Sequence, residues 1–158
     1  MPDTSETLGV ISDTHGLLRP EAIEALRGCA QIIHAGDVGS AHILDQLRSI
    51  APTVAVKGNV DTEPWAAALP QSRVIEFGGH SIYMIHIIGQ MNLPPPPNIS
   101  VVVFGHSHQP SIEDRNGVLF LNPGSAGPRR FKLPISVGYL AVESGKLRAR
   151  ILELEVDR

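Results

Sequence analysis

The chain has 158 residues and a mass of 17.0 kDa, about one domain, and is long enough to bury roughly 68–70% of its unfolded surface in a single core. With 42% hydrophobic and 18% charged residues and its 15 glycines and 13 prolines dispersed, it is neither disordered nor fibrous. Thirteen Lys and Arg against 16 Asp and Glu give a formal net charge of -3, which excludes a global positive field for a nucleic-acid backbone or an anionic membrane. Any phosphate must be held by local charge. The single cysteine, Cys29, excludes an intramolecular disulfide and a cysteine-based zinc site and fits a reducing compartment. The polar, acidic start lacks a secretory pattern, and no apolar run approaches the ~20 residues of a membrane helix. A cytoplasmic protein without membrane contact is expected.

Short β-branched runs dominate, and helical patterns separate the early ones. Residues 8–11 read as strand, 20–26 as helix, and 31–33 as strand. Ser40 reads as the N-cap of a helix ending at Arg48, with Ile43, Leu44 and Leu47 as its apolar face. After a strand at 53–56 and a short helix at 64–69, strands at 74–77 and 81–85 flank Gly78 and Gly79, a hairpin signature. A buried strand at 101–104 follows. Residues 112–115 and 118–121 then flank Asn116 and Gly117, and residues 136–142 and 147–154 flank Ser144 and Gly145. A βαβαβ start and a hairpin-rich finish predict one α/β layered domain over 1–158, with mixed sheets. The four prolines at 94–97 read as a stiff surface loop. The exposed hairpin edges leave a homo-oligomer open.

Residue types that bind metals recur where apolar strands end. Val10 and Ile11 lead into Asp13 and His15, Ile32 and Ile33 into Asp37, and residues 54–56 into Asn59. Residues 82–85 lead into His86, and residues 101–104 into His106 and His108. In open α/β sheets, sites form outside the carboxyl ends of strands, where residues distant in sequence converge. In extended chain, residues two apart project to one side, which pairs Asp13 with His15 and His106 with His108. Imidazole, carboxylate and amide donors suit Mn, Fe, Zn, Ni or Co better than Ca or Cu(I). Two such ions about 3.5–4 Å apart would acidify a bridging water and clamp the oxygens of a phosphate ester.

Asp13-x-His15, Gly36-Asp37, Gly58-Asn59-x-Asp61, His86 and Gly105-His106-Ser107-His108 resemble, in order, the signature of the calcineurin-like metallophosphoesterases. The likeness is to their small single-domain prokaryotic phosphodiesterase branch, which also has Asn122-Pro123-Gly124-Ser125. The resemblance implies an α/β fold, a four-layer αββα sandwich of two mixed β-sheets, with two divalent ions, manganese first, at its strand ends. It implies one ion at Asp13, His15 and His108, another at Asn59, His86 and His106, and Asp37 between them. It further implies a phosphodiesterase with a metal-bridging hydroxide as nucleophile, in which Asp37, Asn59 and His86 serve catalysis through the ions and Asn59 and His106 meet the substrate. Two departures touch the substrate wall. Ile87 and Ile88 stand where the branch has Gly-His after the metal-binding His86, and residues 87–100 are too short and proline-rich for the usual helix.

Each residue also has a structural reading. Asp13 and Asp37 could form turns or helix caps, and His86 could be a core histidine. His34, His42 and His80 read as non-ligands, with His34 packed or behind the site. Asp61 and Thr62 read first as caps for the helix containing Pro64 and Trp65. Arg129 and Arg130 are either a substrate-phosphate contact or a solvated basic pair, and Ser125 belongs beside the site in a structural more than a catalytic role. Ser125 is no hydrolase nucleophile, because Pro123 occupies the position of the first glycine in Gly-x-Ser-x-Gly. Two competing functions are a catalytically inactive protein-binding scaffold, which would have lost ligands, and a phosphomonoesterase or nucleotide hydrolase.

Overall fold

The alternation of β-branched runs and amphipathic stretches produces ten strands and two α-helices in the computed structural model, which describes residues 7–91 and 97–156. β1 (Thr7–Ile11), α1 (Pro20–Leu26), β2 (Gln31–His34), α2 (Ala41–Arg48) and β3 (Thr53–Ala55) form the βαβαβ start. Pro20 fits the first turn of α1, where no backbone N–H is needed, and the helix buries Ala22 and Leu26. Ser40 precedes α2 in extended geometry, but its hydroxyl makes no capping bond, so α2 depends on burying Ile43, Leu44 and Leu47. The helix expected at 64–69 is a 3-10 segment, Pro64–Ala68. Strands β4 (Ser72–Phe77), β5 (His80–Ile85), β6 (Ile99–Val103), β7 (Ser111–Arg115), β8 (Val118–Asn122), β9 (Ser136–Glu143) and β10 (Lys146–Glu153) complete the chain.

Two mixed five-stranded sheets result, as expected, ordered β10-β9-β1-β2-β3 and β4-β5-β6-β8-β7. They pack face to face through Leu8, Val10 and Ile33 from one and Ile82, Met84, Val101, Val103 and Leu121 from the other. Burying each such side chain stabilises the fold by about 1.5–3 kcal/mol. On the outer face of the first sheet, Ile11 and Ile32 pack with Leu26, Leu44 and Leu47 of the helices. The outer face of the second sheet carries Ile85, Val102 and Phe120, against which Ile88 and Met91 pack. This fourth layer is thin, and among the described residues its helical part is the single 3-10 turn Ile88–Gln90. Of the proline tract, Pro97 is in an exposed turn and residues 94–96 lie outside the described residues.

The pairing directions give the sandwich two unlike ends. β1, β2 and β3 are mutually parallel, as are β5, β6 and β8, so the segments holding Asp13, Asp37, Asn59, His86 and His106 leave from one end. The turns at 78–79, 116–117 and 144–145 lie at the other.

Candidate metal centre

All seven sequence-predicted ligands gather at the first end, by a route the extended-chain argument misses. Asp13, His15, Asp37, His106 and His108 have φ of 56°, 48°, 56°, 77° and 64°, in the left-handed region that non-glycine residues enter at a cost. These turns rotate successive side chains away from strand alternation. His106 and His108 therefore separate into two clusters, Asp13 with His15 and His108, and Asp37 with His86 and His106, each with donor atoms within 4.8 Å of one another. His15 and His108 have ring centroids 5.3 Å apart, as do His86 and His106.

Each carboxylate uses one oxygen as an anchor and leaves the other facing imidazoles. Asp13 Oδ2 accepts hydrogen bonds from the Ser12 hydroxyl at 2.7 Å and the His106 backbone N–H at 3.1 Å. Asp13 Oδ1 has no hydrogen-bond partner and lies 3.6, 3.7 and 3.4 Å from the Nε2 atoms of His15, His86 and His108. Asp37 Oδ1 accepts from the Val60 N–H at 2.9 Å, while its Oδ2 lies 3.0 Å from His86 Nε2 and 3.7 Å from His15 Nε2. His15 Nε2, His86 Nε2 and His108 Nδ1 are likewise buried without partners. Buried polar atoms are ordinarily satisfied, and three of these four, Asp13 Oδ1 with His15 Nε2 and His86 Nε2, face one another, a convergence of unpaired donors suited to a cation. Two donors each about 2.1 Å from one ion stand roughly 3.0–3.4 Å apart, close to the separations found. The donor set thus fits divalent metal. Asn59 Oδ1 sits 3.1 Å from His106 Nδ1 at the exposed rim.

The surroundings fix these groups. His86 Nδ1 donates to the Ala35 carbonyl at 2.8 Å, which leaves Nε2 as a lone-pair donor toward the carboxylates. Gly58 admits no side chain, since a Cβ there would collide with Asp37 N and Oδ1. Gly36, at φ +106°, would drive a Cβ into the His86 ring. Asn122 Nδ2 braces the last turn by donating to the Gly105 carbonyl and the Ser107 hydroxyl.

One role differs from the sequence reading. Asp61 caps no helix: its buried carboxylate accepts from the backbone N–H groups of Val38, Gly39 and Gly58 and ties the Asp37 loop to the Asn59 loop. A carboxylate four residues after Lys57 and two after Asn59 gave the one available hint, and its partners lie 22 and 23 residues upstream. Ser125 lies buried beside the site and donates its hydroxyl to the Asp13 carbonyl, in keeping with the structural role expected of it. His34 is a brace, receiving the Gly36 N–H at Nδ1 and bonding the Thr14 hydroxyl through Nε2 at 3.0 Å, while that hydroxyl donates to the Val38 carbonyl. Arg129 and Arg130 are exposed, on the segment that returns from Ser125 to β9 at this end of the sandwich.

The field is one of mutual stabilisation. Burial alone would raise the Asp13 carboxyl, but His108, His15, His86 and the Ser12 hydroxyl hold it well below the carboxylate range. Burial likewise opposes ionisation of Asp37, and His86 with the Val60 N–H outweighs it. His86 is raised, because Asp37, Asp13 and the Ala35 carbonyl overcome its burial. Full burial, with His86 adding to it, pushes His34 down to about 4 against the opposing pull of Asp13, Asp61 and Asp37.

The calcineurin-like phosphoesterase superfamily domain matches residues 7–145, a span containing all seven candidate ligands. The chain belongs to this family. With membership comes the enzyme class, a metal-dependent hydrolase of phosphoric esters. A probable metallophosphoesterase of Methanocaldococcus jannaschii is 36% identical over 94% of this chain and 81% of its own length. Phosphodiesterase YfcE of Escherichia coli is 29% identical over 82% of this chain and 84% of its own. Among solved structures, an archaeal phosphodiesterase superposes with a TM-score of 0.76 at 24% identity, covering 92% of this chain and 99% of that one, a likeness of fold. No helix among the described residues is long and apolar enough to cross a membrane.

Proposed function

We propose that this chain is a phosphodiesterase with a two-ion centre: Asp13, His15 and His108 hold one divalent cation, Asn59, His86 and His106 the other, and Asp37 is shared. The observation that supports this most directly is Asp37 Oδ2, which faces an imidazole of each cluster, His15 at 3.7 Å and His86 at 3.0 Å. Manganese leads the metals suited to this nitrogen and oxygen set, with Fe, Zn, Ni and Co as alternatives. When bound, such ions supply a nucleophile from water at neutral pH and neutralise charge on the phosphoryl oxygens.

The chain's own residues do the rest. Asp13 and Asp37 remain ionised under burial because the facing imidazoles stabilise them. The Ala35 carbonyl holds the His86 Nδ1 proton and fixes its ring. Asn59 and His106, exposed at the rim, orient the phosphoryl group, and Arg129 adds positive charge at the same end. The phosphodiester preference is supported by the names of the relatives, and a buried free Cys29 is compatible with a cytoplasmic setting.

The test is hydrolysis of bis-p-nitrophenyl phosphate beside p-nitrophenyl phosphate, by metal-stripped protein with and without Mn²⁺. Mn-dependent cleavage favouring the diester, reduced at least ~10³-fold in Asp37→Ala, is expected. Faster cleavage of the monoester would replace the diesterase reading with a monoesterase one, and a fully active variant would remove Asp37 from the centre.

A further inference from the structure

A cavity of about 220 Å³ opens beside His86 and Asn59, and its remaining wall includes Lys57, Gln71, Ile87 and Gln90. Two features of this chain build it. The Lys57 backbone N–H is tied to the Pro70 carbonyl at 2.8 Å, which closes the wall between β3 and β4. The 3-10 turn Ile88–Gln90, following the departure at Ile87 and Ile88, brings Gln90 Oε1 to accept from Gln71 Nε2 at 2.8 Å.

The chemistry of the lining is selective. Lys57 is its one permanently charged side chain, no carboxylate lines the cavity, and none of the ion pairs among the described residues involves this lysine. In a chain of net charge -3 such a spot favours an anion. The amide pair uses one donor and one acceptor on itself, which leaves Gln71 Oε1 as an acceptor and the Gln90 amide N–H groups as donors, the two functions a heterocyclic amide edge requires. The volume is below the ~300 Å³ of pockets for drug-sized ligands, so it suits one arm of an ester.

We propose that this cavity is the subsite for one arm of the diester, and that the arm it takes is a nucleoside carrying a further phosphate. Lys57 meets the additional phosphate, and Gln71 with Gln90 reads the base edge. The inference rests on the diesterase reading above and names its substrate class.

The test compares thymidine 5′-(p-nitrophenyl phosphate) with its 3′-phosphorylated derivative, using Mn-loaded wild type, Lys57→Met and Lys57→Arg, with bis-p-nitrophenyl phosphate in parallel. The wild type is expected to prefer the 3′-phosphorylated ester about tenfold in kcat/KM, mainly through KM, as one charge-assisted contact gives. The ratio falls to about one in Lys57→Met and returns in Lys57→Arg. Equilibrium dialysis of thymidine 3′,5′-bisphosphate against metal-free protein reads the same contact without turnover, and retention is expected for wild type and loss for Lys57→Met. No preference, or one that survives Lys57→Met, overturns the subsite while bis-p-nitrophenyl phosphate cleavage keeps the diesterase. Failure to cleave any of the three esters removes the diesterase reading and this substrate class with it.

Discussion

The two ends of the sandwich use the same unusual backbone conformation for different purposes. At the hairpin end, left-handed residues come in pairs, Gly78 with Gly79, Asn116 with Gly117 and Ser144 with Gly145, and close two-residue turns whose twist matches the strands. There the geometry chooses the residue, and glycine or asparagine at five of the six positions, Ser144 being the sixth, makes it inexpensive. At the opposite end the same conformation falls on Asp13, His15, Asp37, His106 and His108, where the side chain is the purpose and the backbone accepts a cost of order 1 kcal/mol or more each. One end is optimised for folding, and the other is held in place by its neighbours.

The sharpest way to break this contrast is to add the same methyl group at both ends. Gly58→Ala places a Cβ against Asp37, and activity is expected to fall more than ~10²-fold, since ångström-scale misplacement in a catalytic site has effects of that size. Gly79→Ala meets open space at φ +83°, so it should lower stability by about 1 kcal/mol and leave activity within twofold. Equal activity losses would mean that the site end is no more tightly determined than the hairpin end.

A second effect belongs to the brace behind the ligands. His34 is pushed down to about 4 from its ordinary 6.5, so between these values the unfolded chain binds the proton that the folded chain refuses. Its contribution to stability is complete above about pH 6.5 and is lost as the pH falls toward 4, reaching about 3 kcal/mol over the window. Urea unfolding of metal-free wild type and His34→Gln across that range should show a steeper rise with pH in wild type, and parallel curves would contradict the assignment. The smallest effect is a gain. His106 is exposed at φ 77°, so His106→Gly in metal-free protein should raise stability by about 1 kcal/mol while it lowers activity. A loss of stability would mean that His106 holds the loop rather than straining it.

Much of this molecule was legible in its residues. Pro20 and the polar break after Leu26 define α1 at the bounds expected, and turn pairs such as Asn116 with Gly117 locate the hairpins. The convergence of the seven candidate ligands was legible because each follows an apolar run, and strand ends converge in this architecture. What stayed hidden depends on contacts made through backbone atoms. Asp61 binds N–H groups that any residue could present at positions 38 and 39, so no side chain advertised its partners. The split of His106 from His108 was reached only through the family resemblance, since it follows from φ values that their identities do not specify. The five residues of Pro64–Ala68 are too few to sustain an α-helix against its nucleation cost. The cavity at Lys57 arises where the turn Ile88–Gln90 lands on Gln71, a tertiary coincidence with no local signal.

The claim on which the account turns is that Asp37 joins two ions into one centre. Metal content after equilibrium dialysis of wild type and Asp37→Ala against Mn²⁺, with folding verified by circular dichroism, tests it most directly. Two ions per wild-type chain, with at most one weakly held ion in the folded variant, is the predicted result; one ion per wild-type chain, or two retained by Asp37→Ala, would contradict it.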